Sequence, residues 1–377
     1  MATLTFPIIK KKISLGAIIL LALAALGVFA AFFRWIDGFS QVSNLSDSRP
    51  WGIWISFDLL VGVPISAGAF ILAATVHIFH IEKYKPILRP ALLTGFLGYL
   101  LVIIALLVDL GQPQRIWHML IYRNLHSPLF EVGMCVMTYT AVLFLEFSPP
   151  LLEKLGWTGL LQVVRKISIP VVILGVTLST MHQSSLGSLF LIVPFKMHPL
   201  WYTSLLPLLF LVSAIAVGFG MVVFECTLSH QIMGGEVRKD IFQGLAKGML
   251  ATLVILFFIK FGDLVYAGEL GLAFDGSLQG NLFILENVTG IVLPILILLV
   301  PKFRRSTRWI FRAGLLTLIG LILYRLDIGL VSMAGVPYLP TWLELSVTVG
   351  LFSAGILVFG LALKHLPLEE GERAHAH

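Results

Sequence analysis

Cysteine is nearly missing from this sequence: Cys135 and Cys226 are the only two in 377 residues, and both sit inside apolar runs. No CxxC pair or Cys/His spacing of the kind that holds zinc or an iron–sulfur cluster occurs, so any such cluster must belong to another polypeptide. Charge is scarce too. Asp, Glu, Lys and Arg make up 12% of the chain, where soluble domains carry about 25%. Long polar stretches are also missing. No separate soluble catalytic domain fits between the apolar runs, which excludes a self-contained dehydrogenase, hydrolase or kinase. The net charge of +6 is spread over short connections, which excludes a nucleic-acid partner. What remains is apolar: 58% of the residues are hydrophobic. Since about 20 such residues cross a bilayer, the fold class is all-α, a polytopic integral membrane protein whose first partner is membrane lipid.

Apolar runs fall at 13–33, 52–79, 88–110, 128–147, 163–183, 203–228, 242–266, 281–300, 308–330 and 341–363, which predicts ten transmembrane helices. The first, behind Lys10, Lys11 and Lys12, is too long for the apolar region of a cleaved signal and reads as a retained span. With the N-terminus in the cytoplasm, nineteen of the 26 Lys and Arg fall on inner segments. Only Arg34, Arg49, Arg115, Arg123 and Lys196 fall on outer ones, and Lys260 and Arg325 lie near the outer ends of their helices. That asymmetry predicts both termini in the cytoplasm. The expected location is the bacterial cytoplasmic membrane. The acidic tail 364–377 reads as a solvated cytoplasmic end, and its histidines carry no expected role.

Helix three ends Val108-Asp109-Leu110-Gly111 and helix seven has Gly262-Asp263-Leu264-Val265 near its end, and the helix after each carries a carboxylate, Glu131 or Glu286, near its outer end. An offset of four helices preserves orientation. It predicts two parallel four-helix bundles within one membrane domain, helices two to five (52–183) and six to nine (203–330), flanked by helices one (13–33) and ten (341–363).

Ionisable side chains inside a bilayer cost a few kcal/mol each and persist where they are paired, near water, or used. Asp58, Asp109, Glu131, His182, Asp263, Glu286, Asp327 and Glu344 fall in the outer third, and His77, His80, Glu146 and Glu225 in the inner half. The pattern predicts a polar pocket near the outer face with a thinner file of protonatable groups, Glu225 and Glu146, leading inward; a structural place at the inner boundary, near interfacial water, is the equal alternative for these two. Asp109, Asp263 and Asp327 end their helices, where they are equally at home in water. Lys260 with Asp263, and Arg325 with Asp327, read as structural pairs, and Glu344 has the same plain reading. The segment Ser179-Thr180-Met181-His182-Gln183-Ser184-Ser185 is expected to end helix five; its imidazole, carboxamide and hydroxyls suit a quinone carbonyl, and a capped helix end in water is the competing reading. A haem held by two histidines needs both on facing helices at one depth, whereas His77 and His182 are separated by about 20–30 Å of hydrocarbon core. No haem is expected.

Five segments carry a resemblance over the chain from about residue 49 to helix ten. They are Arg49-Pro50-Trp51-Gly52-Ile53-Trp54-Ile55-Ser56-Phe57-Asp58; Asp109-Leu110-Gly111-Gln112-Pro113-Gln114-Arg115; Ser127-Pro128-Leu129-Phe130-Glu131; Thr180-Met181-His182-Gln183-Ser184-Ser185-Leu186-Gly187-Ser188; and His198-Pro199-Leu200-Trp201. With them the sequence resembles the NrfD or polysulfide-reductase membrane-subunit family, most of all its HybB-type branch. The resemblance implies a membrane subunit, without redox centres of its own, that exchanges electrons between an outer-facing iron–sulfur protein and membrane quinone, either menaquinone or ubiquinone. The implied partners are a periplasmic four-cluster ferredoxin-like protein and a nickel–iron hydrogenase pair, or, elsewhere in the branch, a multihaem cytochrome.

The expected quinone site comprises His182, Asp58, Glu131 and Gln183, with Asp109 and Arg115 at its mouth. The expected proton path comprises Glu225, Glu146, Asp58 and Glu131, with proton translocation left open. Two other readings stand beside it: a secondary transporter, whose site would lie near the midplane on broken helices, and a purely structural anchor, which leaves Asp58 and Glu131 without a reason to be there.

Overall fold

The structure, a computed structural model, describes residues 14–46, 49, 51–233, 238–333 and 338–367. Lys10, Lys11, Lys12, Pro50 and the tail from residue 368 lie outside these. Among the described residues ten helices are long and apolar enough to cross a membrane. They are α1 (Leu15–Asp37), α2 (Trp54–Ile78), α3 (Glu82–Asp109), α4 (Pro128–Leu155), α5 (Ser168–Leu191), α6 (Leu206–Ser229), α7 (Lys239–Ala267), α8 (Leu278–Leu299), α9 (Thr307–Val331) and α10 (Trp342–His365).

Local chemistry sets many of the ends. Ser14, Ser127, Ser277 and Thr341 cap helix starts by accepting a backbone N–H three residues on, and Thr341 forms a reciprocal capping box with Glu344. Gly156 and Gly268, at φ 72° and 74°, close α4 and α7 in the left-handed conformation that glycine adopts without steric cost. Two boundaries differ from the sequence reading. Helix α4 continues past residue 147 through Pro149 and Pro150 to Leu155, and a short amphipathic helix, Thr158–Lys166, separates it from α5. Helix α5 continues eight residues beyond 183, which changes the surroundings of His182.

Packing neighbours run from α2 through α3, α4 and α5 back to α2, and from α6 through α7, α8 and α9 back to α6. Helix α6 also lies on α2 and α5, and α1 packs mainly on α10. The α1/α10 crossing is backbone on backbone: a Cβ on Gly27 would stand 2.7 Å from Gly350 Cα. In α2, 89% of the apolar window is buried against 11% in α1, so α2 is the central helix. It is also irregular. Trp54–Leu59 and Ala74–Ile78 are wound as π-helix, and Pro64, which cannot donate a backbone hydrogen bond, lies between them. Antiparallel α3 fits against it, with Gly62 facing Val102, Gly98 facing Ser66 and Gly95 facing Ala69.

Candidate functional site

The wide first turns of α2 carry Asp58 into the protein, where the residue is 4% exposed. Thr348 Oγ1 of α10 donates to Asp58 Oδ2 at 2.9 Å, and Asp58 Oδ1 has no partner among the described residues. Asp58 stands at one end of a cavity of about 160 Å³ between α2, α3, α6 and α10. Ser66, Thr94 and Glu225 are its other polar lining groups; Phe224, Phe352 and Phe359 contribute rings to an otherwise apolar wall. Ile356, exposed on α10, is part of that wall, so the cavity opens sideways toward lipid. The α2/α3 register puts Thr94 about twelve residues deeper than Asp58, a descent of roughly 18 Å. Glu225 lines the cavity with Thr94 and is 3% exposed, so it is enclosed in protein rather than placed at an inner-surface boundary.

His182 does not end its helix. It lies nine residues inside α5, roughly 13 Å below the outer end, and is fully buried. Its Nδ1 shares a 2.8 Å hydrogen bond with the Tyr99 hydroxyl of α3, and Tyr99 in turn meets Tyr139 of α4 edge to face, ring centroids 4.7 Å apart. Gln183 Nε2 donates to the Val63 carbonyl of α2 at 3.2 Å, next to the Pro64 irregularity. His182 Nε2, Gln183 Oε1, Ser179 Oγ and Tyr139 Oη are buried with no partner among the described residues. Unsatisfied groups of this kind mark a place for ordered water or a ligand. The competing reading, a polar helix end in water, does not hold for this segment.

The remaining expected site residues are not gathered around His182. Glu131 is half-buried at the start of α4, where Ser185 Oγ approaches its Oε1 to 2.5 Å. Asp109 is half-buried at the end of α3, whose last carbonyls are taken by Arg34 of α1: Nε donates to Val108 O at 2.6 Å and Nη2 to Leu110 O at 2.5 Å. Arg115 is exposed on the outer connection. Glu146 sits in the inner half, at a basin of about 430 Å³ that His77, Lys85, Arg89 and Arg165 also line. Its Oε1 lies 3.1 Å from where a Cβ on Gly175 would be, one turn of α5 inward of Ser179. Tyr99, Tyr139, Thr348 and Thr94 were not singled out in the sequence; aromatic and hydroxyl residues are ordinary in apolar helices, and only packing brings Tyr99 onto His182 with Tyr139 behind it, Thr348 onto Asp58, and Thr94 into the cavity with Glu225.

The expected pairs in the later helices are also rearranged. Lys260 Nζ bonds Glu286 Oε1 at 2.6 Å instead of Asp263, with Trp201 Nε1 and Asn287 Nδ2 donating to the same carboxylate. Arg325 donates to Ser213 Oγ and the Phe210 carbonyl instead of Asp327. Each cation takes the partner across the helix interface rather than its chain neighbour, because packing excludes water there. Glu344 is buried in the first turn of α10 as the capping-box partner of Thr341 and accepts from the Tyr338 hydroxyl at 2.6 Å. On the outer connection before α6, His198 N–H donates to Ser332 O, and its Nδ1 accepts the Leu200 N–H at 3.3 Å. Partial burial pushes the His198 imidazole below its usual range, and the Asp275 carboxylate opposes that shift.

The profile of the family described as polysulphide reductase, NrfD, matches residues 41–334. A protein of Nitratidesulfovibrio vulgaris is 36% identical over 95% of this chain and 95% of its own length. The probable Ni/Fe-hydrogenase 2 b-type cytochrome subunit of Escherichia coli is 36% identical over 89% of this chain and 87% of its own. The menaquinone reductase integral membrane subunit of N. vulgaris is 30% identical over 91% and 88%. The E. coli name raises the question of haem in this chain. His365, the last residue of α10, is exposed at the helix end, and by the register of α2 against Gln183 the buried His182 and His77 are separated by roughly 20 Å of depth. They do not fit two axial positions on one iron. No described group of three or more His, Cys, Asp or Glu is placed to hold a metal ion. With the profile spanning most of the chain and relatives aligned nearly end to end, the chain belongs to the NrfD family of membrane subunits.

Proposed function

We propose that the chain is the quinone-reactive membrane subunit of a multisubunit respiratory oxidoreductase. It passes electrons between membrane quinone and an outer-facing iron–sulfur partner of a nickel–iron hydrogenase. The observation that carries the reading is the lipid-facing apolar cavity that ends on Asp58, with one carboxyl oxygen held by Thr348 and the other unpartnered. A quinone is a flat apolar ring with two hydrogen-bonding oxygens and an isoprenoid tail, and that cavity offers a ring-lined wall, a polar end and a lateral opening. The relatives support the same chemistry, one being a hydrogenase subunit and another a menaquinone reductase subunit.

Reducing a quinone to a quinol takes two electrons and two protons. Asp58 holds a proton against the quinone oxygen and Thr348 fixes the carboxyl; a charged quinone dianion in an apolar cavity is too costly to form without them. Protons reach the outer half from the inner face along two routes. One is Glu225 with Thr94 at the deep end of the cavity. The other starts at Glu146 in the inner basin and runs past Ser179, Tyr139 and Tyr99 to His182, where the unpartnered atoms leave room for bridging water. Electrons from the outer side and protons from the inner side move charge across the membrane. Glu131, hydrogen-bonded to Ser185, serves as the outer counterpart of Glu146.

The test is quinone-linked turnover of the purified complex. Asp58→Asn and His182→Ala are each expected to lower it at least about tenfold, the loss of a positioned acid–base group, with the complex still assembled. Wild-type turnover in assembled Asp58→Asn complex would overturn the assignment.

A further inference from the structure

The inner basin is larger than a proton entrance requires. Its roughly 430 Å³ lie between the inner ends of α2, α3, α4 and α5, and Glu146 closes the deep end. The mouth is cationic. Arg89 and Arg165 both reach Glu153, at 2.9 Å each, so one carboxylate orients two guanidiniums and leaves an excess positive charge. Lys85 is exposed on the first turns of α3 and makes no ion pair among the described residues; Arg165 keeps 61% of its side chain exposed. His77 and Ser168, the first residue of α5, complete the polar rim. The wall between rim and Glu146 is aliphatic: Leu88, Leu92, Val164, Val171 and Val172.

The neighbouring helix Thr158–Lys166 fits a membrane-surface position. Leu161 and Val164 are buried on Leu152, Trp157, Leu160 and Val163 are exposed, and Arg165 and Lys166 end it. Cations above an aliphatic slot, beside a helix lying at the headgroup level, match a molecule with an anionic head and a hydrocarbon body. A neutral quinone gains hydrogen bonds but no charge attraction from the cations, and inorganic phosphate gains nothing from the aliphatic wall. We propose that this basin binds an anionic phospholipid, its phosphate on Lys85 and Arg165 and one acyl chain along the aliphatic wall of α3 and α5. Basic recesses between helices on the cytoplasmic side are suited to such headgroups, each cation near the surface adding to the attraction. The proposal shares its basin with the second proton route of the quinone reading but does not rest on it, since it is tested by lipid retention, not turnover.

The purified protein is stripped with detergent, retained lipid is measured by native mass spectrometry, and the unfolding midpoint is followed as phosphatidylglycerol, phosphatidylcholine or inorganic phosphate is added back. Wild-type protein is expected to retain phosphatidylglycerol and to gain stability from it alone. The double substitution Lys85→Gln, Arg165→Gln, kept monodisperse, is expected to lose about tenfold or more in retention. Equal stabilisation by phosphatidylcholine would overturn the proposal, as would full stabilisation by inorganic phosphate or undiminished retention in the double variant. If that variant does not fold, the wild-type response to the three additives decides alone.

Discussion

Tyr99 holds the imidazole of His182, and the pair shows what a single residue contributes here. A buried ring with one nitrogen bonded and the other unpartnered has its orientation fixed by the bonded side. Tyr99→Phe removes that bond at constant shape and leaves a buried polar atom without a partner, at about 1–3 kcal/mol. Quinone-linked turnover is expected to fall about tenfold, and the double change Tyr99→Phe, His182→Ala is expected to be no slower than His182→Ala alone, because both act through one bond. Fully additive losses in that cycle would show that Tyr99 does not work through His182. At this scale the sequence was partly legible. Asp58 and His182 stand out because charge and imidazole are rare in apolar helices. Thr348 and Tyr99 do not, because a threonine in α10 and a tyrosine in α3 look the same whether or not they face a carboxyl or an imidazole.

Helical elements were more legible than their contents. The ten spans follow from apolar runs, since hydrocarbon thickness fixes their length. The end of α5 was misplaced because polar residues from Ser179 to Ser185 interrupt the hydropathy there; in the fold they face α2, α3 and α4 rather than lipid, and the helix continues beyond them. The connection between α5 and α6 offers a test at this scale. Its His198 accepts the Leu200 N–H, which requires a neutral Nδ1, and burial lowers the imidazole pKa from 6.5. A histidine with a depressed folded pKa adds stability that is fully present above 6.5 and is lost as pH falls through the folded value. Amide exchange across residues 196–202, corrected for its intrinsic pH dependence, is therefore expected to accelerate as the pH drops below about 6.5, while the helices on either side stay protected. Exchange independent of pH would mean that protonation leaves the connection in place.

For the whole molecule, orientation decides which compartment would supply the protons of the proposed reaction. Lys83, Lys85, Arg89, Lys154, Arg165, Lys166, Lys302, Arg304 and Arg305 gather at one end of the helices, the end that holds the basin of Glu146, and the positive-inside rule predicts that this end faces the cytoplasm. Both native cysteines are buried, at 4% and 5% exposure, so an impermeant thiol reagent meets little background. Asn124→Cys and Tyr266→Cys, on exposed positions of the opposite end, are expected to label in intact cells, and Lys166→Cys only after the membrane is opened. The reverse pattern would turn the molecule over: Asp58 would then face the cytoplasm, an iron–sulfur partner on that end would be cytoplasmic, and both proton routes would begin outside. The expected pattern keeps the proposed electron entry at one face and the proposed proton entry at the other, the arrangement in which quinone reduction would carry charge across the bilayer.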